Sequence, residues 1–134
     1  MRYEIALEVL SGHIAWAHGG FAAGTYRDVD LAQLKFTKKL LANERVVADR
    51  GYRQCKRFFI PKNGGKYNKV IRLILARHEN VNRRIKSFDC MAGKFRHDLL
   101  LHNMCFLAAV NIVQIAIECG DALPKVSSVC ESQH

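Results

Sequence analysis

The first ten residues carry apolar side chains at every second position. Tyr3, Ile5, Leu7 and Val9 alternate with Arg2, Glu4, Ala6 and Glu8, and period-two alternation marks a half-buried strand. Ser11-Gly12-His13 reads as a turn and Ile14-Ala15-Trp16-Ala17 as a short return strand, so the chain opens on a β-hairpin. A lone hairpin is marginal in water, which obliges later segments to cover its apolar face. His18-Gly19-Gly20-Phe21 with Ala23-Gly24 reads as a glycine-rich loop. No Gly-Lys-Ser/Thr follows it, so a phosphate cradle is not indicated.

Helical spacing takes over downstream. Asp28 or Asp30 is placed to cap a helix beginning at Leu31, with Leu34, Leu40 and Leu41 as its apolar side and Lys38-Lys39 near its C-terminal end. Glu44 to Ala48 reads as a short buried strand that stops at Asp49-Arg50-Gly51-Tyr52. A second short strand, Phe58-Phe59-Ile60, is halted by Pro61 and followed by the basic loop 62–66. Over 67–88, Val70, Ile74, Val81, Ile85 and Phe88 recur on one helical face. Arg72, Asn82, Arg83 and Lys86 fall on the opposite face around Glu79, a lone acid in a basic stripe.

Asp98 is placed to cap a last helix over 99–119 that ends at Gly120. Asn103, Asn111, Gln114 and Glu118 interrupt its apolar run, which predicts a buried amphipathic helix in place of a membrane span. Residues 121–134 read as a polar, frayed tail. The resulting organisation is one domain over 1–120 followed by that tail, as the length of 134 residues allows.

Charge and cysteine usage narrow the function classes. The formal net charge is +9. Residues 44–96 hold 15 Lys/Arg against 4 Asp/Glu, a local net of +11, while the rest of the chain nets −2. Such a field attracts polyanions, nucleic acid above all, although a solvated basic surface accounts for charge alone equally well. Five cysteines with no Cys-x-x-Cys pair, and no signal peptide, point to free thiols in a reducing compartment and exclude a disulfide-framed secreted mini-protein. His97, His102 and Cys105 do not share one helical face, so their spacing argues against a zinc site. Cys105 and Cys119 read as small core residues.

Two acids stand where chemistry could use them, and each has a plainer reading. Asp49 ends a strand and enters a loop, a common way to present a catalytic carboxylate in α/β folds; it also suits an ordinary turn. Glu79 sits on the polar face of its helix, where an i,i+4 ion pair with Arg83 would account for it.

Several segments, taken together, resemble the Harbinger-type DDE transposases. They are Arg2-Tyr3-Glu4-Ile5, Gly12-His13-Ile14-Ala15-Trp16, Gly20-Phe21 through Gly24 with Asp28, and Ala48-Asp49-Arg50-Gly51-Tyr52. Ala76-Arg77-His78-Glu79-Asn80-Val81-Asn82 with Ile85, Lys86 and Phe88, then Phe95-Arg96-His97-Asp98, continue the likeness in order over 2–120.

The resemblance implies an α/β, RNase H-like nuclease fold: a mixed sheet flanked by helices that cuts and joins DNA with divalent metal, usually magnesium. By position, Asp49 matches the second acid of the family's triad and Glu79 the third, as catalytic and metal-binding residues. Arg72, Asn82, Arg83 and Lys86 would face the DNA backbone. The family's first aspartate lies on a strand that precedes the hairpin, and this sequence starts at the hairpin. The expectation is therefore a partial domain, with two of three acids, weak or inactive alone. A non-catalytic DNA-binding or partner-binding module is the alternative. DNA is the expected partner, with a second copy or an accessory DNA-binding protein beside it and no membrane. The expected location is the nucleus in a eukaryote and the cytoplasm otherwise.

Overall fold

A computed structural model describes residues 1–22, 24, 25, 27, 30 and 32–126. Asp28 and Leu31, to which the sequence assigned a cap and a helix start, and residues 127–134 of the expected tail lie outside the described residues.

The opening hairpin forms as its alternation predicts. Strand β1, Arg2–Leu7, pairs antiparallel with β2, Ile14–Phe21, in the register Tyr3↔Gly19, Ile5↔Ala17 and Leu7↔Ile14. β2 runs through His18-Gly19-Gly20-Phe21, where the sequence predicted a loop. Long-range packing explains the difference: a Cβ at Gly19 would lie 2.6 Å from the Arg2 carbonyl oxygen and 2.7 Å from the Tyr3 Cα. The glycine is there because the two strands approach closely, not because the chain turns. Gly12 does turn, with φ +76°, and a Cβ there would strike the Arg77 guanidinium at 2.7 Å and Leu123 at 2.9 Å.

The next segment is more irregular than its composition suggests. A π-helical turn, Ala32–Phe36, leads into a single α-turn, α1, Thr37–Lys39. The expected strands shrink to β3, Val46–Val47, and β4, Phe58–Phe59, which pair in parallel. Arg57 braces them by donating to the carbonyls of Thr37, Leu40, Leu41 and Glu44, so this cation of the basic segment serves the fold.

Three helices complete the chain: α2, Asn68–Lys86; α3, Asp89–Ala92; and α4, Leu99–Glu118. The Asp98 carboxylate accepts from the Leu100 N–H at 3.0 Å, the expected N-cap, and Gly120 follows α4 with φ +108°. The core lies where α4 meets β2, α2 and α3. It comprises Val81, Ile85, Phe106, Ala109, Val110, Val113, Ile117 and Leu123, with Tyr3, Ile5, Leu7 and Ile14 packed against it.

Three differences from the sequence reading follow from tertiary contact. Leu123 and Val126 are buried, so the start of the supposed polar tail folds back onto the core. Gln114, part of the polar stripe on α4, accepts from the Ile14 N–H at 2.7 Å and ties the hairpin to the helix. Cys119 is exposed and Cys105 only half-buried, so neither is the fully buried core residue its apolar neighbours suggested.

The described strands form two separate two-stranded sheets, β1-β2 and β3-β4. This is a mixed α/β arrangement. The continuous mixed sheet that the resemblance implies is not assembled from these four strands.

Candidate functional site

A cavity of about 1000 Å³ opens between the two sheets and is floored by α2. Residues of β1 and β2, of β3 and β4, and of α2 share its wall. Asp49 and Glu79, thirty residues apart in sequence, both line it, as do Arg72 and Asn82. Arg83 and Lys86 stand exposed farther along α2.

Asp49 leaves β3 by way of Ala48, whose N–H donates to the Phe59 carbonyl at 2.9 Å. Its Oδ1 then accepts from the Gly51 N–H at 2.8 Å and caps the 3-10 turn Arg50–Tyr52. The turn reading of Asp49 is therefore realised, and it leaves the second carboxylate oxygen outside that hydrogen bond. A second cavity, about 540 Å³, borders the same residue and is lined by Arg2, Arg27, Arg50 and Arg53. The Arg27 guanidinium is held on Asp30 by two hydrogen bonds, and that contact pulls the Asp30 carboxyl below the usual carboxylate range. Asp49 thus sits between an acid-bearing cleft and an arginine-lined mouth.

Glu79 differs from its plain reading. No ion pair with Arg83 forms, and its carboxylate makes no hydrogen bond or salt bridge to any described residue. It is exposed on the wall of the cavity.

Asn82 lines the cavity and is also engaged within the fold. Its side-chain amide donates to His78 Nδ1 at 3.2 Å, and His78 Nε2 meets the Ile5 carbonyl oxygen at 2.8 Å. Both contacts are satisfied when Nε2 carries the proton and Nδ1 is bare, so Asn82 sets the tautomer of a histidine that seals the edge of β1. Arg77 acts similarly one residue earlier. It is 7% exposed and donates to the Val9 carbonyl at 2.5 Å, which locks the hairpin turn onto α2.

Sequence reasoning overlooked three of these groups. Glu4, on β1, lines the cavity and lies 3.7 Å from His18 Nδ1. Its place on the polar side of the alternating strand was legible, but that it lines the same cavity as Asp49 was not. His78 and Arg77 flank Glu79 in sequence, yet nothing local distinguishes a buried arginine from a surface one. The direction of the His18 shift also needs the fold: burial, and then the Lys35 ammonium, push its pKa down despite Glu4 nearby. Lys35 Nζ lies 3.4 Å from Nε2 and can only donate, which favours the neutral ring.

As a metal-binding set the residues are sparse. Among the described residues, no three His, Cys, Asp or Glu side chains converge as ligands. Two carboxylates are hard oxygen donors, and magnesium is commonly held by one or two carboxylates with water and substrate phosphate supplying the rest. Asp49 and Glu79 are of the donor type that mode uses, and no closed protein cage forms among the described residues. The chain matches no protein-family model, no curated protein and no solved structure.

Proposed function

We propose that this chain is a DDE transposase-like nuclease domain of RNase H-like descent that engages DNA phosphodiesters with divalent metal and is weak or inactive alone. The observation that carries the reading is that Asp49 and Glu79, the two acids the resemblance assigns, line one cavity together with Arg72.

Each residue then has a task. Glu79, unencumbered, and the second oxygen of Asp49 would hold a magnesium ion, which neutralises charge developing on phosphodiester oxygens and activates water. The Gly51 N–H fixes the Asp49 carboxylate so that little is left to organise on binding. Arg72, Arg83 and Lys86 on α2, with Arg50 and Arg53 at the arginine-lined mouth, neutralise flanking phosphates. Asn82, which holds His78, presents the rest of its amide to the cavity as a further contact for the DNA backbone. Two acids supply too few ligands for a two-ion clamp, which is why activity in isolation is small or nil. In a eukaryotic cell such a domain works in the nucleus.

A second reading is favoured by the engagement of Asp49 in its turn: the domain binds DNA without cutting it. Magnesium-dependent nicking of supercoiled plasmid decides between them. Nicking that is lost in both Asp49→Asn and Glu79→Gln supports the nuclease. Binding that weakens steeply with salt, with no cleavage, no dependence on magnesium and no change in Asp49→Asn or Glu79→Gln, supports the binding module. Absence of both overturns the assignment.

A further inference from the structure

The side of α4 turned away from the core remains uncovered. His102, Phe106, Ala109, Val110, Val113 and Ile117 form its buried stripe. Opposite them, Leu100, Leu101, Met104, Leu107, Ile112 and Ile115 are 43 to 68% exposed. The helix is long and apolar enough to cross a membrane by length and composition, with a third of it buried within the fold. Scattered exposed apolar residues are ordinary, but six along one helical face form a contiguous patch of the kind that marks an interaction site.

We propose that this face pairs α4 with α4 of a second copy of the chain, in antiparallel orientation. Area is the first argument. The exposed fractions of the six residues amount to just over three whole side chains, roughly 600 Å² per copy. With Ala108 and Asn111, also exposed on this face, the patch approaches the roughly 800 Å² per partner of a stable interface.

The second argument is pattern. Met104, Ala108, Asn111 and Ile115 follow one another at spacings of four, three and four, the repeat of a helix–helix seam. A two-fold axis midway between Ala108 and Asn111 sets Met104 against Ile115 of the second copy and Leu107 against Ile112. It also sets Ala108 against Asn111, so a small residue meets the one polar residue of the seam. A single polar group in such a seam fixes register.

Charge is the third. α4 contains no Lys or Arg, so no like-charged side chains meet within the seam itself. Antiparallel pairing brings Glu118 to the positive N-terminal end of the other α4, beside the exposed chain that carries Lys94 and Arg96. The same lack of basic residues disfavours a lipid surface, since interfacial helices flank their apolar face with Lys and Arg.

The test is the mass of the full chain by sedimentation equilibrium at micromolar concentration. The expected mass is twice that of one chain. Met104→Lys and Ile115→Glu, each at an exposed position and each checked by circular dichroism for an unchanged fold, are expected to weaken the dimer by at least about tenfold. Combining both substitutions in one chain places lysine opposite glutamate only in the antiparallel register, and restores the dimer. A monomeric wild-type chain overturns the proposal, as does failure of the double variant to recover. Binding to neutral phosphatidylcholine vesicles by a chain that is monomeric in water overturns it in favour of a membrane surface. This inference stands apart from the nuclease reading: the variants leave the cavity untouched, so either can fail alone.

Discussion

Phe106→Ala should be among the most destabilising single changes in this domain. Phe106 is 1% exposed, and its ring stacks on Tyr3 with centroids 3.8 Å apart and planes 19° from parallel. The Tyr3 hydroxyl is bonded to His102 Nδ1, one turn earlier on the same face of α4. Tyr3 is therefore gripped at its ring by Phe106 and at its tip by His102, and through it β1 is fastened to α4. Truncating a buried phenylalanine costs about 3–5 kcal/mol in transfer and cavity terms. Of this, about 0.5–1.5 kcal/mol belongs to the aromatic pair itself. Against a total stability of about 5–15 kcal/mol, that is a large share. Urea denaturation followed by circular dichroism measures it as a shift in midpoint at constant slope. Tyr3→Phe removes only the hydroxyl, and should cost about 1–2 kcal/mol because the His102 nitrogen loses its partner. A Phe106→Ala loss below about 1 kcal/mol would refute the view that α4 and β1 share one core.

Two further outcomes follow from the same contacts. Burial pushes the pKa of both His102 and His18 down from the ordinary value of about 6.5, with the N-terminal ammonium adding to it at His102 and the Lys35 ammonium at His18. The unfolded chain then binds more protons than the folded one as pH falls, so this stability is complete above about pH 6.5 and lost as pH drops toward the folded-state values. Each histidine adds to the slope in the same sense; denaturation midpoints that do not fall between pH 7 and 5 would contradict it. Asp98→Ala deprives α4 of its cap and should cost about 1 kcal/mol, read as a lower melting temperature, with Asp98→Asn close to neutral.

Much of the local structure was legible in the residues themselves. The hairpin followed from alternation at Tyr3, Ile5 and Leu7. α2 and α4 followed from helical spacing, and the ends of α4 from Asp98 and Gly120. These signals are local: a side chain bonding a backbone group two residues away, or a period that sets which face is apolar. The glycine-rich stretch was misread because the cause of Gly19 lies across the hairpin at Arg2 and Tyr3. The tail was misread because Leu123 and Val126 find the core only after α4 has turned back.

The candidate site divides along the same line. Asp49 at a strand end and Glu79 on a polar helix face are visible in the sequence, together with the basic stripe around them. That they share a cavity is decided by how β3 and α2 pack, which no local pattern encodes. Packing likewise settles that Glu79 stays free of Arg83, that Asn82 serves His78, and that Arg77 is buried beneath the hairpin turn. The apolar run of α4 was plain in the sequence too. Only the tertiary structure shows that one side is spent on the core while the other faces solvent, because a helix buries just the stripe its neighbours can reach.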